Sequence, residues 1–307
     1  MAFLRALGSY VPSRVVGNPE LADLLGCEAD WILSVSGISE RRYASESESV
    51  VDLAVKAGED CLSRGKIQAP EVGLVIVASG SGDRRFPGPA AETAARLGLA
   101  GTPAIDLPMA SAGSLFGMAI AAQIAPLHGR ILVIAAEKMS AVISHPPLDR
   151  NTAILFGDGA GACLIDAKEG FAEIVDTCLH SDGSFADNLR LEFDRPIHMD
   201  GRVVILQASR KVPAAIRELL DRQQRPASSI ATFLMHQANQ NLITRIAQAI
   251  EVPPEKFYSN ISRYGNTSSA SMLIAASGWN HFQQGEAVVF AAFGAGFHWG
   301  ALLALGT

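Results

Sequence analysis

Three polar residues of the sequence have side chains suited to nucleophilic catalysis, and each follows an apolar segment. Ser111 lies in MASAGSLFG, His236 in FLMHQAN and Asn266 in RYGNTSSAS. A serine hydroxyl attacks when a base takes its proton, an imidazole can be that base, and an amide N–H can donate to a developing oxyanion. Each residue alone is more often structural than catalytic. Their equivalent positions in a repeated unit predict one shared site.

The repeat consists of three pairs of similar segments in the same order, at an offset of about 155 residues. The pairs are LVIVASG (from Leu74) with ATFLMHQ (from Ala231), AIDLP (from Ala104) with FYSNIS (from Phe257), and RILVIAAE (from Arg130) with AVVFAAF (from Ala287). Short apolar runs that end in small residues are typical of buried parallel strands. We therefore predict an α/β fold with two similar halves, 1–166 and 167–307, each a sheet covered by helices. Reactive side chains are expected at the carboxyl ends of such strands.

Other segments predict the elements around these strands. SVVDLAVKAGEDCLSRG (from Ser49) and QANQNLITRIAQAI (from Gln237) have amphipathic helical spacing. Residues 178–212, rich in Asp, Arg and Gly, indicate a long insertion with a short strand around VVIL. The apolar run AVVFAAFGAGFHWGALLALG contains four glycines and a histidine, so it predicts two buried strands and a turn instead of a membrane span.

Composition excludes several classes of protein. The chain has 307 residues, of which 49% are hydrophobic and 18% charged, and this indicates a globular protein with a large core. A formal net charge of −6 argues against nucleic-acid binding. The four cysteines lack CxxC spacing, so no metal site is expected. The amino terminus lacks the basic and then apolar order of a signal peptide, and we expect a cytoplasmic protein with no membrane contact.

Five motifs together resemble the β-ketoacyl-acyl-carrier-protein synthase III family, over essentially the whole chain from Asp30 onward. They are DLPMASAG (from Asp106), LFGDGAGACLI (from Leu155), MHQAN (around His236), YGNTSSAS (around Asn266) and GAGFHWGALL (from Gly294). The resemblance implies a thiolase-like fold with a layered α-β-α-β-α core, a homodimer, and decarboxylative condensation of an acyl-CoA primer with a malonyl thioester. It implies no cofactor, with acyl-CoA serving as a substrate. It also implies acyl carrier protein as a partner.

The resemblance also assigns roles to single residues. Ser111 occupies the nucleophile position, where the family carries a cysteine, while His236 and Asn266 match the family's histidine and asparagine. The backbone N–H groups of Ser111 and Ala295 match its oxyanion hole.

Three further positions match the substrate-binding residues of the family. They are an aromatic ring that stacks on the adenine of coenzyme A, an arginine on the other side of that ring, and an aromatic side chain that closes the acyl pocket of the second subunit: Trp31, Arg150 and Phe86.

The serine at position 111 leaves three explanations open: a substitution introduced to trap a substrate, a natural serine variant of the condensing reaction, or a change to simple acyl transfer. Serine is a weaker nucleophile and a poorer leaving group than a thiol, so Ser111 needs a base, for which His236 is the candidate. Retention of His236 and Asn266 favours condensation over acyl transfer, and over a non-catalytic partner subunit. A thiolase would need a second cysteine near the GAGFHWG turn, which has none.

Two other departures concern substrate binding. The helix after His236 has Arg245 as its only basic residue, so docking of an acidic carrier protein should be weak unless Arg210, Lys211 and Arg217 compensate. Val35 stands where the family commonly has an arginine near the coenzyme A phosphates.

Overall fold

The computed structural model describes residues 1–192 and 195–307. The strands in these ranges, numbered β1 to β13 in chain order, are Phe3–Tyr10, Arg14–Gly17, Glu40–Tyr43, Leu74–Ala78, Ala104–Leu107, Arg130–Lys138, Asp158–Asp166, Ala172–Ser181, Leu189–Arg190, His198–Met199, Ile230–Met235, Ala287–Gly294 and His298–Gly306. The helices, α1 to α11, are Asn18–Leu25, Ala29–Ser36, Val50–Gly65, Pro89–Arg96, Gly113–His128, Met139–Ile143, Arg150–Ala153, Gly201–Arg222, Gln240–Ala249, Ile261–Tyr264 and Ser271–Trp279.

Nine strands form one hydrogen-bonded order, β11-β12-β13-β8-β1-β7-β6-β4-β5. Within it, β5, β4 and β6 run parallel and β7 and β1 complete the first half, while β11 and β12 run parallel and β13 and β8 complete the second. The counterpart of β5 in the second half is a single parallel bridge between Phe233 and Phe257. The three predicted segment pairs therefore occupy matching positions, and the repeat is confirmed.

The two ends of this strand order face each other across a central pair of helices, α5 and α11. Their side chains form one buried cluster with residues of β1, β4 and β6 on one side and of β11, β12 and β13 on the other. The helices α3 and α4 cover the outer face of the first half, and α8 and α9 cover that of the second. The result is five layers, helix, strand, helix, strand, helix. The division into halves at residue 166 stays a prediction.

The helix from Ser49 is confirmed, with the Ser49 hydroxyl accepting from the backbone N–H of Asp52 as its amino-terminal cap. The apolar run near the end is confirmed as the strands β12 and β13. In the described part of the chain, no helix is long and apolar enough to cross a membrane.

The predicted insertion at 178–212 is wrong in two respects. Cys178 lies inside β8, and VVIL belongs to the long helix α8 instead of a strand. The Asp200 side chain caps α8 by accepting from the backbone N–H of Val203, and the buried positions Ala208, Val212 and Ile216 recur every four residues. This helical spacing of buried residues continues beyond the β-branched run VVIL, so the segment folds as a helix and not as a strand.

Candidate active site

Ser111 lies in the short turn between β5 and the buried helix α5. Its backbone φ is 62°, a left-handed value that is uncommon for a residue other than glycine. The side chain is 8% exposed and faces a cavity. Among the described residues, no hydrogen bond joins the Ser111 hydroxyl to another group, so the turn presents it without fixing its direction.

The turn between β12 and β13 packs against the backbone of the turn that carries Ser111. At Gly294 a Cβ atom would lie 2.3 Å from the carbonyl oxygen of Ala110 and 2.7 Å from the backbone nitrogen of Ala112, so only glycine allows the approach. The contact brings Ala295 to the same cavity as Ser111.

The predicted oxyanion hole is only partly free. The Ser111 N–H donates to the Ser268 hydroxyl at 3.0 Å, so a substrate oxygen must displace or share that bond. The oxyanion role of Ser111 and Ala295 stays a prediction.

His236 follows the last residue of β11 and is buried. Burial lowers the pKa of His236 to about 4, against the weaker opposing effect of a backbone hydrogen bond with Ser268, so the ring is neutral at pH 7. Its Nδ1 lies 2.6 Å from the Ser271 hydroxyl, which also accepts from the Gln237 N–H and donates to the Ser268 carbonyl.

Ser271 can pair with either tautomer of His236. When its hydroxyl hydrogen points to the Ser268 carbonyl, Nδ1 carries the proton and Nε2 is a free base. When that hydrogen points to Nδ1, Nε2 carries the proton and is a donor.

Asn266 is fixed between the two halves of the chain. Its backbone N–H donates to the Leu155 carbonyl, and its own carbonyl accepts from the Gly157 N–H. Its side-chain Oδ1 accepts from the Ser268 N–H at 2.9 Å. This bond assigns the carbonyl end of the amide, and therefore leaves the Nδ2 hydrogens to donate into the cavity.

Ser111, His236, Asn266, Ala295 and Ser268 line a single cavity of about 140 Å³. The remaining lining is mostly apolar and comes mainly from α8, α9, residues 189–191, Ile197 and Met199. A hydroxyl, a neutral imidazole and an amide in such surroundings can carry an acyl group and stabilise an oxyanion.

The residues predicted to bind coenzyme A form a second group. The Arg150 guanidinium carbon lies 5.5 Å from the centre of the Trp31 ring. Trp31 is half-buried and packs in the same cluster as Leu155, which lines the cavity. This pair is therefore linked by packing to the cavity that holds Ser111, and Arg150 is exposed.

Phe86 lies outside the cavity and is 85% exposed. An aromatic side chain left so open is consistent with the predicted contact to a second subunit, which stays a prediction.

Sequence reasoning missed Ser268 and Ser271, which contact all three predicted catalytic residues. They fall within the quoted motif YGNTSSAS, yet only the folded chain shows which serine meets which partner. It also missed Glu137, a fully buried carboxylate that accepts from the Ser81 and Ser269 hydroxyls at 2.6 and 2.7 Å.

Two of the basic residues expected to compensate for the weak docking helix are engaged within the chain. Lys211 pairs with Asp182 at 3.0 Å and lies over the Trp299 ring. Arg217 donates to the Ala249 carbonyl. Arg245 and Arg210 are exposed and belong to different helices.

One group of side chains in the described ranges has the composition of a metal site: Cys178, His180 and Glu218, with ligand atoms within 4.8 Å of one another. His180 is hydrogen-bonded to Glu218, the Cys178 thiol donates to the Ala215 carbonyl, and burial raises the pKa of that thiol to about 11. A protonated thiol is a poor metal ligand. The expected absence of a metal stays a prediction.

Comparison with known proteins gives consistent matches along the chain. Residues 105–183 match the family model described as 3-oxoacyl-[acyl-carrier-protein (ACP)] synthase III, and residues 202–305 match its C-terminal model. Beta-ketoacyl-[acyl-carrier-protein] synthase III 1 of Vibrio vulnificus (strain YJ016) is 33% identical, over 96% of each chain.

Solved structures of similar sequence have the same overall fold as this chain. The 3-oxoacyl-[acyl-carrier-protein] synthase III of Aquifex aeolicus VF5 has a TM-score of 0.94 at 32% identity, covering 99% of this chain and 100% of that one. A priming β-ketosynthase from the R1128 polyketide biosynthetic pathway has a TM-score of 0.91 at 28% identity, covering 99% of this chain and 96% of that one. The thiolase-like fold predicted from the sequence is confirmed.

Proposed function

The chain belongs to the 3-oxoacyl-[acyl-carrier-protein] synthase III family of condensing transferases, and we propose that it joins an acyl-CoA primer to a malonyl thioester through an acyl ester on Ser111. The observation that carries the proposal is the shared cavity in which a neutral His236 and an oriented Asn266 face Ser111. The proposal includes a cytoplasmic location and a role in fatty-acid or polyketide-type synthesis.

The first half-reaction transfers the acyl group. The Ser111 Oγ attacks the thioester carbonyl while its proton passes to Nε2 of His236, the C–S bond breaks, and coenzyme A leaves as a thiol with that proton. This step uses the tautomer in which Nδ1–H donates to Ser271. The backbone N–H groups of Ser111 and Ala295 are the proposed donors to the tetrahedral oxyanion.

The second half-reaction forms the new carbon–carbon bond. The malonyl thioester loses carbon dioxide, and the electron pair of the broken bond forms an enolate whose oxygen accepts from Asn266 Nδ2 and from Nε2–H of His236. The enolate carbon attacks the acyl ester, the C–O bond to Ser111 breaks, the Ser111 oxygen takes up one proton from the solvent, and a β-ketoacyl thioester is released. This step uses the other tautomer of His236, with the Ser271 hydroxyl donating to Nδ1.

Trp31 and Arg150 are proposed to hold the adenine of coenzyme A between them. Their present contact gives each a partner in the absence of substrate. Because Lys211 and Arg217 already have partners within the chain, coenzyme A is the proposed carrier of the malonyl group.

A homodimer is proposed from two exposed features of the first half. The strand β5 is the edge of the sheet, with Ile105 45% exposed, and Phe86 projects nearby from the 81–88 segment. Light scattering at micromolar concentration should give twice the chain mass of 32.4 kDa. A stable, fully active monomer would contradict the dimer.

Simple acyl transfer to another acceptor is the second candidate. The serine nucleophile itself favours it, because an oxyester is less activated toward a carbon nucleophile than a thioester. Retention of an oriented Asn266 favours condensation, since transfer to an alcohol or amine has no enolate to stabilise. A non-catalytic subunit would have no use for either.

The deciding experiment combines two measurements on the same protein. Intact-protein mass spectrometry after incubation with a panel of acyl-CoAs reports the acyl adduct, and release of labelled carbon dioxide from malonyl-CoA reports the second step. Adduct, carbon dioxide and β-ketoacyl product together support condensation. An adduct that passes to other acceptors without carbon dioxide release supports acyl transfer, and neither product supports the non-catalytic reading.

A further inference from the structure

A buried carboxylate near the carboxyl end of β6 is not used by the proposed reaction. Glu137 is fully buried and, among the described residues, forms no salt bridge with a basic side chain. The next residue, Lys138, donates from its Nζ to backbone carbonyls of the segment 45–48 instead. A charge in such a place is costly unless hydrogen bonds replace its bonds to water. The donors around Glu137 therefore indicate what this carboxylate does.

Five donor groups of the described chain meet the carboxylate, and they come from two separate segments. We call this group the Glu137 cluster and define it by Glu137, Ser79, Gly80, Ser81 and Ser269. Oε2 accepts from the Ser79 hydroxyl at 3.3 Å, the Gly80 N–H at 3.0 Å and the Ser81 hydroxyl at 2.6 Å. Oε1 accepts from the N–H and the hydroxyl of Ser269, at 3.3 and 2.7 Å. One oxygen binds the segment after β4, and the other binds the segment before α11.

Ser269 belongs to the segment that contacts all three proposed catalytic residues. Its neighbour Ser268 accepts from the Ser111 N–H through its hydroxyl, and donates its own N–H to Oδ1 of Asn266. The Ser268 carbonyl accepts from the Ser271 hydroxyl, which is the partner of the catalytic imidazole. A shift of Ser269 would therefore displace the partners of the nucleophile turn, the amide and the imidazole together.

The segment bound to Oε2 packs directly against the nucleophile turn. A Cβ atom at Gly80 would lie 2.7 Å from the Cβ of Ala110, the residue before Ser111. On the other side of Ser111, a Cβ atom at Gly113 would lie 3.3 Å from the Cβ of Ser269. Contacts this close leave the turn no room to shift while both segments stay in place. The carboxylate joins the two segments between which the nucleophile turn lies.

We infer that Glu137 is a positioning residue of the active site. Its carboxylate holds the segments 79–81 and 268–271 at a fixed separation, and thereby fixes the turn that presents Ser111 and the donors that face it. The inference rests on the proposed function, since that function gives these groups their catalytic roles. Glu137 itself does not line the cavity, so it acts through its neighbours and not on the substrate.

Glu137→Gln is the deciding substitution, because it keeps the size of the side chain and removes one of its two acceptors. Each carboxylate oxygen accepts from a backbone N–H, of Gly80 or of Ser269, so the new amide nitrogen would face a donor on one side. The rate constants for acylation of Ser111 and for carbon dioxide release from malonyl-CoA should both fall about tenfold or more. KM for both thioesters should stay within about twofold, because the proposed coenzyme A contacts lie outside the Glu137 cluster.

Asp166→Asn is the matched control, because Asp166 is another buried carboxylate of the β6–β7 pair, at the end opposite to the site. It pairs with Arg130, the first residue of β6, and accepts from the Lys168 N–H. This variant should unfold at a lower temperature and keep both rate constants. If Glu137→Gln does not fold, Ser269→Ala replaces it: the 2.7 Å bond to Oε1 is lost, the charge stays, and both rate constants should fall about fivefold. Equal rate losses in Asp166→Asn and in either test variant would overturn the inference.

Hydrogen exchange tests the same inference without catalysis. The Ser111 N–H is hydrogen-bonded and should exchange slowly in the wild type. In Glu137→Gln, peptides that cover residues 108–116 and 265–272 should exchange at least about tenfold faster, and in Asp166→Asn they should not. Unchanged exchange or unchanged rate constants in Glu137→Gln would overturn the inference. A wild-type protein without acyl adduct or carbon dioxide release, combined with faster exchange in Glu137→Gln, would contradict the proposed function and leave the positioning role standing.

Discussion

The two sides of the active site are built in opposite ways. The nucleophile corner, Ala110–Ala112, has a left-handed residue and a hydroxyl without a hydrogen-bond partner in the described structure. The His–Asn corner, made of His236, Asn266, Ser268 and Ser271, is a set of hydrogen bonds between 2.6 and 2.9 Å. Ser111 and Asn266 lie where segments of the repeated unit lead into the paired central helices α5 and α11, while His236 follows β11 and precedes α9.

This difference indicates for which reaction step the folded protein is preorganised. Donors held by several bonds stabilise developing charge without reorganisation, and this describes the His–Asn corner. A histidine whose pKa burial holds near 4 is a good neutral donor and a weak base, so it serves an enolate better than it serves a serine hydroxyl. We infer that decarboxylation depends on the His–Asn corner, whichever residue occupies position 111.

The largest expected effect separates the two corners completely. Ser111→Ala removes the only nucleophile of the proposed mechanism, so the acyl adduct should disappear in intact-protein mass spectrometry. Carbon dioxide release from malonyl-CoA should persist, since its donors are intact. An adduct that persists in Ser111→Ala would show that the nucleophile has been assigned to the wrong residue.

The second prediction disables the other corner. Replacing His236 or Asn266 by alanine should reduce carbon dioxide release by about 10² or more, the usual cost of losing a preorganised oxyanion donor. For Asn266→Ala, acylation of Ser111 should fall much less, because the amide has no role in that step. Unchanged carbon dioxide release in both variants would rule out condensation.

Much of this architecture could be predicted from the sequence because it is repeated. Similar apolar runs at a constant offset identified the strand pairs and placed Ser111, His236 and Asn266 at related strand ends. The prediction for residues 178–212 was wrong for a local reason. Val203 to Leu206 are β-branched or apolar, as in a strand, and Pro213 interrupts the helical pattern that includes them.

The details of the site needed the folded chain. Ser268 and Ser271 are small polar residues in a turn, and nothing in their order shows that one bonds to the Ser111 backbone and the other to His236. The wall that α8 contributes to the cavity was also not predicted, because the sequence analysis assigned VVIL to a strand. The spacing of apolar residues along a helix or strand predicts which of its faces is buried. Contacts between elements depend instead on how those elements pack together.

The third prediction uses pH to compare the corners. Folding lowers the pKa of His236 from about 6.5 to about 4, so the unfolded chain binds the proton first, and stability is lost as pH falls below about 6.5. Between pH 7.5 and 5 this loss should be roughly 2 kcal/mol. Urea unfolding should show it in the wild type and in Ser111→Ala, and should show a smaller loss in His236→Gln. Equal pH dependence in all three would mean that His236 titrates normally.

The fourth prediction tests whether Ser271 positions His236. Ser271→Ala leaves Nδ1 without its partner at 2.6 Å, and carbon dioxide release should fall about tenfold, as expected for one lost buried hydrogen bond. The acid limb of the pH–rate profile should also shift, which a purely structural defect would not cause. Ser271→Thr keeps the hydroxyl and should restore part of the rate.

Ser114→Ala is a matched control, because the Ser114 hydroxyl is buried on α5 and is without a hydrogen-bond partner in the described residues. Its removal should leave both the rate and the pH profile unchanged. Similar losses in Ser114→Ala and Ser271→Ala would indicate a general packing effect.

The last and smallest expected effect concerns the identity of the nucleophile. If the nucleophile corner has not been rebuilt for oxygen chemistry, Ser111→Cys should raise the rate of β-ketoacyl product formation by at least several-fold, because a thiol ionises more readily and its thioester is more activated. The structure favours this outcome, since no hydrogen bond joins the Ser111 hydroxyl to His236 among the described residues, although the pairing of Nδ1 with Ser271 leaves Nε2 available to the nucleophile. A site adapted to serine would hold its base against the hydroxyl, as Ser-His pairs do in hydrolases. The assay compares adduct mass, carbon dioxide release and condensed product for the serine and cysteine forms side by side. Equal carbon dioxide release with more product in Ser111→Cys would assign the difference to the nucleophile alone. No gain in product would show that the corner works specifically with oxygen, and would favour acyl transfer over condensation.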